Sequence, residues 1–229
     1  MSAAVHGTAG GGTLPVDCAG ERLLLHHDRA LYWPRRRMLL VADVHLGKEW
    51  AFGRAGLAVP GGATGSDLDR LARLVTGFGA GELVVLGDFT HAPPGDEDEW
   101  LGAITAWLDR LPVTVSIVAG NHDRPVTRQR LDARIRWFPE SRPEAPFVLQ
   151  HEPQADPRGY GLGGHLHPTV HLGTGGDRLR PPVFWFRGDH GVLPAFGSFT
   201  GGHNIRPEAD ERVFAVGPGA VVALPSASR

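Results

Sequence analysis

The reading of this chain turns on MLLVADVHLGK, residues 38–48. Met38 to Ala42 form a short apolar run rich in branched side chains, the pattern of a strand buried on both faces. At Asp43 the run breaks into a polar loop that carries Asp43 and His45, two residues apart. Moving outward, the same grammar recurs four times. ELVVLGDFTH (82–91), VTVSIVAGNHD (113–123), FVLQHE (147–152) and YGLGGHLH (160–167) each follow an apolar run with an acid, an amide or an imidazole. Helical periodicity fills the early intervals, first with Leu68, Leu71, Val75 and Phe78, then with Trp100, Ile104, Trp107, Leu108 and Leu111. The rhythm of strand, helix, strand, then mostly strands fits an α/β sandwich with mixed sheets. Its polar clusters fall at strand C-terminal ends, where open α/β sheets place their sites.

The remaining segments fill in this frame. ERLLLHH and DRALYW read as two short strands ahead of the first motif. Ser66 and Asp69 have capping-box spacing at the start of the first helix, and Gly77 and Gly79 close it. The acidic run Asp96 to Glu99 suits the positive end of the second helix. Val126 to Trp137 reads as a short basic helix on which Arg130 and Arg134 share a face able to track a nucleic-acid backbone. From Pro181 the pattern is β only: VFWFR, LPAFGSF, and a hairpin of RVFAV and AVVALP around Gly217 to Gly219. We expect a short flexible leader over residues 1–20 and a single domain over 21–229.

Composition narrows the function classes. The 229 residues hold 23 basic and 25 acidic side chains, so the net charge of −2 does not advertise a nucleic-acid partner. One cysteine, Cys18, rules out an internal disulfide and a Cys-based zinc knuckle. No apolar run approaches the roughly 18–20 residues of a membrane span. The first residues lack the basic start and apolar core of a signal peptide, so a cytoplasmic protein is expected. Against these exclusions stand 12 histidines. Histidine is both the commonest metal ligand and the usual acid near neutral pH.

The five clusters supply carboxylate oxygen, amide oxygen and imidazole nitrogen, and no thiolate. That donor set suits Mn²⁺ first, with Fe²⁺ or Zn²⁺ as alternatives. Asp43, His45, Asp88, Asn121, His151, His165 and His167 are too many ligands for one ion. A carboxylate can bridge two ions, and Asp88, central in the order, is the bridging candidate. A divalent pair brings four positive charges against two from Asp43 and Asp88. The site stays electropositive, which favours a phosphoester over an acyl substrate.

The ordered set DxH, GDxxH, GNHD, H and GHxH, over residues 43–167, resembles the calcineurin-like metallophosphoesterase superfamily. ALYWPRRR (30–37), DVHLGKE (43–49), RAGLAVP (54–60), HEP (151–153), GHLHP (164–168) and LPAFGSFTGG (193–202) resemble, more narrowly, the bacterial ligase-associated DNA damage response endonuclease group. GDFTH stands where related nucleases often have Leu-Phe before the histidine. The resemblance implies a metallophosphoesterase-type β-sandwich of mixed sheets flanked by helices. It also implies two metal sites, one of Asp43, His45, Asp88 and His167, the other of Asp88, Asn121, His151 and His165. His122 would be the acid that assists the leaving oxygen, and Asp123 would orient it.

The expected activity is hydrolysis of DNA phosphodiesters in repair, in association with an ATP-dependent DNA ligase, a helicase and an exonuclease. The alternatives are a small-molecule phosphatase or pyrophosphatase, and a non-catalytic metal-binding scaffold. Lys48 and Arg124, beside the first and third motifs, suit phosphate contact or plain solvated charge. His91 suits support of the metal site or a buried structural role. Trp50 and Phe52 suit base stacking or core filling. His171, His190 and His203 have no motif around them. GSFTGG and the last strands could build a homodimer interface.

Overall fold

Side-chain alternation along the central strands builds two cores at once. The computed structural model describes residues 12–57, 61–93, 95, 99–173 and 179–225. Its first half runs β1 (Thr13–Cys18), β2 (Glu21–His26), β3 (Ala30–Trp33), β4 (Met38–Ala42), α1 (Lys48–Arg54), α2 (Ala63–Phe78), β5 (Glu82–Leu86), α3 (Trp100–Arg110), β6 (Thr114–Val118), α4 (Pro125–Arg130) and β7 (Arg136–Phe138). These seven strands form one sheet in sequence order. β1 to β4 are antiparallel neighbours, and β4 to β7 are parallel.

The second half runs β8 (Ser141–Glu144), β9 (Phe147–Gln150), β10 (Tyr160–Gly163), β11 (Pro168–Thr169), β12 (Val183–Phe186), β13 (His190–Val192), β14 (His203–Asn204), β15 (Arg212–Gly217) and β16 (Ala220–Ala223). Its large sheet has the order β16-β15-β12-β13-β10-β9-β8, and β11 pairs with β14. On β4, Leu39 and Val41 point to the helices, among Leu68, Leu71 and Trp107. Met38, Leu40 and Ala42 point the other way, against Phe147, Leu149 and Phe184 of the second sheet. On β5, Leu83 and Val85 join the helix layer while Val84 and Leu86 join the sandwich. Period-two alternation thus serves both faces of a buried strand. The expected α/β sandwich of mixed sheets flanked by helices is the fold found.

Four local expectations are corrected. Residues 13–18, placed in the leader, form β1, because Val16 and Cys18 alternate into the sandwich core. Residues 1–11 of that leader lie outside the described residues. Ser66 is no cap: its N–H already bonds the Gly62 carbonyl inside α2. The first turn is instead capped by Glu49 of α1, whose carboxylate accepts from the Thr64 N–H (2.8 Å) and hydroxyl (3.0 Å).

The basic helix expected to reach Trp137 ends at Arg130. Asp132 accepts the Arg134 backbone N–H at 2.9 Å, an Asx turn that breaks the helix. Trp137 then pairs with Ile117 in β7. Arg130 and Arg134 therefore share no helical face, and the Arg134 guanidinium is held by Asp132 and Asp109. LPAFGSF is a loop with one bridge, Ala195 to Ala42, because its Phe196 and Gly197 N–H groups bond the end of β4 and its Ser198 N–H bonds Asp67 instead of a sheet ladder. Of the acidic run, residues 96–98 fall outside the described residues. No described helix is long and apolar enough to cross a membrane.

Candidate metal centre

Register brings the motifs together. Ala42 pairs with Leu86 and Leu86 with Val118, so β4, β5 and β6 end level. The loops beyond them are cross-bonded. The Asp43 N–H donates to the Gly87 carbonyl (3.1 Å) and the His45 N–H to that of Asp88 (2.8 Å). From the second sheet, parallel β9 and β10 deliver His151 and Gly164–His165 to the same edge. The His165 N–H donates to Asp43 Oδ2 at 2.8 Å, which stitches the two sheets together at the centre.

The backbone there is strained. Asp43 (φ 52°), His45 (52°), Asp88 (46°), His165 (66°) and His167 (46°) all occupy the left-handed region. A non-glycine residue in that region costs about 1–3 kcal/mol and persists where the surroundings enforce it. Five of the seven candidate ligands carry this cost. Glycine is required beside them by space: a Cβ on Gly120 would strike the Asp88 carboxylate and backbone nitrogen, and one on Gly164 the Asp43 carboxylate. Gly164→Ala is expected to lower metal affinity at least about tenfold and stability by about 1–3 kcal/mol. Metal titration and thermal unfolding check both. Wild-type metal affinity in that variant contradicts the packing described.

The donor atoms fall into two clusters. Asp43, His45 and His167 form one, and Asp88, His151 and His165 the other. In the first, His45 Nε2 lies 3.3 Å from His167 Nε2, and His167 Nε2 lies 3.7 Å from Asp43 Oδ2. In the second, His151 Nε2 lies 3.0 Å from His165 Nδ1 and 2.9 Å from Asn121 Oδ1. Asp88 Oδ2 sits between them, 3.8 Å from His45 Nε2 and 3.6 Å from His151 Nε2. The seven predicted ligands are therefore one constellation, with Asp88 at its middle.

Its electrostatics suit cations. Asp43 is fully buried, and its Oδ1 has no hydrogen-bond partner. An orphaned carboxylate oxygen in the interior is costly unless a cation meets it. Burial pushes the Asp43 carboxyl up, and the nearby Asp88 charge adds to that rise. Burial, followed by the charge of His167, pushes His45 down to about 2, and burial with Lys48 pushes His91 down to about 4. Both rings are neutral at pH 7, and for His45 that is the form metal ligation requires. For His167 burial acts downward, but the hydrogen bond and charge of Asp43 outweigh it, and the net shift is up. His167 Nδ1 faces the Gly201 carbonyl at 3.2 Å, which turns Nε2 toward the cluster. The N/O donor set, the orphaned oxygen and the two clusters all fit a pair of divalent ions.

Around this core the other candidates separate. His122 is half-buried, and its Nδ1 meets the His91 carbonyl at 2.7 Å. Asp123 does not orient it. Both Asp123 oxygens are taken by the N–H groups of Phe89, Thr90 and Gly120 and by the Thr90 hydroxyl. Asp123 thus holds the GDFTH loop, while the His122 ring turns to the His91 carbonyl. His91 lies against the centre: its Nδ1 is 3.4 Å from His45 Nδ1, and its ring stacks on His122. Lys48 is close enough for its charge to act on His45 and His91, while Arg124 is exposed. Trp50 packs on the helix-side core, and Phe52 meets the edge of His91.

One supporting group escaped sequence reasoning. Asp67 on α2 accepts the Ser198 hydroxyl (2.6 Å) and N–H (2.9 Å) and pairs with Arg70 (3.1 Å). Arg70 also bonds the Phe196 carbonyl. These contacts seat the 195–201 loop, whose Phe196 and Gly197 N–H groups bond Ala42 and Asp43 and whose Gly201 carbonyl faces His167. The quoted LPAFGSFTGG was the only signal, since Asp67 itself looks like an ordinary helix acid.

Comparison with known proteins adds three findings. The family model for calcineurin-like phosphoesterases matches residues 36–187. The nuclease MPE of Pseudomonas putida is similar at 38% identity and a TM-score of 0.80, covering 93% of this chain and 100% of its own. Yfce, a phosphoesterase from E. coli, is similar at 15% identity and a TM-score of 0.45, covering 83% and 99%. No curated protein matches by sequence.

Proposed function

Because this chain belongs to the calcineurin-like phosphoesterase family, and is thereby a metal-dependent phosphoesterase, we propose that it is a dinuclear phosphodiesterase that cleaves DNA in repair. The observation that carries this reading is the pair of donor clusters joined through Asp88. The 38% identity to a nuclease over its whole length supports a nucleic-acid diester over a small monoester. In this reading Asp43, His45, Asp88 and His167 hold one ion, and Asp88, Asn121, His151 and His165 the other. Mn²⁺ is the first choice for these nitrogen and oxygen donors. When bound, the ions neutralise phosphate charge and activate water for attack on phosphorus.

The chain's own residues supply the rest. With Nδ1 fixed on the His91 carbonyl, His122 has Nε2 as the atom that carries a proton to the departing oxygen. Its backbone N–H donates to Asp88 Oδ1 at 2.9 Å, so acid and bridging carboxylate are held in one register. His91 backs His45 and His122 together. Lys48 adds positive charge at the rim and Asp123 fixes the loop beneath.

A substrate panel tests the proposal. With Mn²⁺ added, bis(p-nitrophenyl) phosphate and single-stranded or nicked DNA are expected to be cleaved faster than p-nitrophenyl phosphate. Hydrolysis confined to monoesters overturns it.

A further inference from the structure

Two cavities flank the donor clusters, and they differ in charge. On the Asn121–His151 side a space of about 440 Å³ is lined by Glu140, Glu152 and Asp156. Its one guanidinium, Arg158, is already spent on Asp156 at 2.7 and 2.8 Å. A phosphate entering there meets three carboxylates against one guanidinium.

On the opposite side a groove of about 350 Å³ contains Arg29, Arg180, Thr169, Ser198 and Thr200, with no carboxylate in its lining. The His167 ring is the wall it shares with the metal centre. Arg29 donates through Nη1 to the Ala195 and Gly197 carbonyls at 3.2 and 3.3 Å. Arg180 donates through Nε to Thr169 Oγ1 at 3.0 Å and through Nη2 to the Gly202 carbonyl. Neither has a carboxylate within salt-bridge distance among the described residues. Asp28 and Asp67 act on Arg29 only through space. A guanidinium has five N–H donors, so both arginines are positioned by the protein and keep donors to spare.

We propose that this groove is the backbone track for the substrate strand, with Arg29 and Arg180 holding a phosphate next to the scissile one. Guanidinium groups suit phosphate by charge and by their forked donors. The Ser198 and Thr200 hydroxyls are already donated to Asp67 and to the Gly197 carbonyl, which leaves the guanidiniums as the donors, and Phe199 between the two is exposed, a face on which a base stacks. The strand leaves the centre past His167 and not past His151, because only that flank has no carboxylate in its lining. The proposal rests on the phosphodiesterase reading and adds a direction to it.

The test compares Mn²⁺-loaded wild type with Arg180→Ala on a single-stranded oligonucleotide and on bis(p-nitrophenyl) phosphate, which has no second phosphate. Arg180 is exposed, and thermal unfolding verifies that the variant is folded. The oligonucleotide-to-small-diester ratio of kcat/KM is expected to fall about tenfold, through KM. The salt dependence of oligonucleotide kcat/KM is expected to flatten by about 0.7 in log–log slope, the value for one single-strand phosphate contact. Arg180→Lys keeps the slope because it keeps the charge. An unchanged ratio and slope in Arg180→Ala overturn the track while diester hydrolysis by wild type stands. Wild type that cleaves monoesters only overturns the reading beneath it.

Discussion

Replacing His122 with alanine is expected to cut turnover by about 10²–10⁴-fold, the usual worth of a general acid, with metal content at the wild-type value. The geometry explains the separation. The contact of His122 with Asp88 runs through its backbone N–H, which alanine retains, whereas its ring touches His91 and His45. The loss should be graded by leaving group. A diester that releases an alkoxide needs the proton and suffers the full drop. One that releases p-nitrophenolate needs it little and suffers much less. Elemental analysis beside steady-state kinetics reads both quantities. Equal losses for the two leaving groups, or loss of metal, would remove His122 from proton transfer.

A larger loss is expected from Asp88→Asn. The change keeps the shape of the side chain but removes the charge that lies between His45 and His151. Bound metal should drop from two ions to one or fewer, and activity by at least about 10³-fold. Without metal the same variant is expected to be at least as stable as wild type. Asp88 raises the cost of ionising the fully buried Asp43, so removing one of two neighbouring carboxylates relieves repulsion. Thermal unfolding in a chelator checks this. A marked loss of stability there would make Asp88 a structural residue first.

That expected stability pattern, a centre strained in the absence of its ligand, matches the five candidate ligand residues in the left-handed region. It also shows which parts of the molecule the sequence can reveal. Strands β4, β5, β6, β9 and β10 were legible because each is a local apolar run, and their polar ends follow at once. Parallel pairing then brought Asp43, Asp88 and Asn121 together without further information.

What failed was longer in range or locally ambiguous. The cap of α2 comes from Glu49, 15 residues before its partner Thr64, so Ser66 beside the helix was the wrong place to look. The bond from Asp67 to Ser198 spans 131 residues, and no periodicity encodes it. The end of α4 is local, yet arginines at helical spacing concealed the turn that Asp132 imposes. Asp123 follows His122 directly, and the family resemblance implied a partnership. The carboxylate instead serves the loop behind it, and a main-chain carbonyl 31 residues away, from His91, meets the acid.

The proposed function requires two ions at one centre joined through Asp88. Its most direct measurement is titration of Mn²⁺ into chelator-stripped protein, with bound metal and phosphodiester hydrolysis followed together. The predicted result is two ions bound per chain, with turnover rising to its plateau only as the second site fills. Full turnover at one ion per chain, or undiminished turnover in the stripped protein, would contradict it.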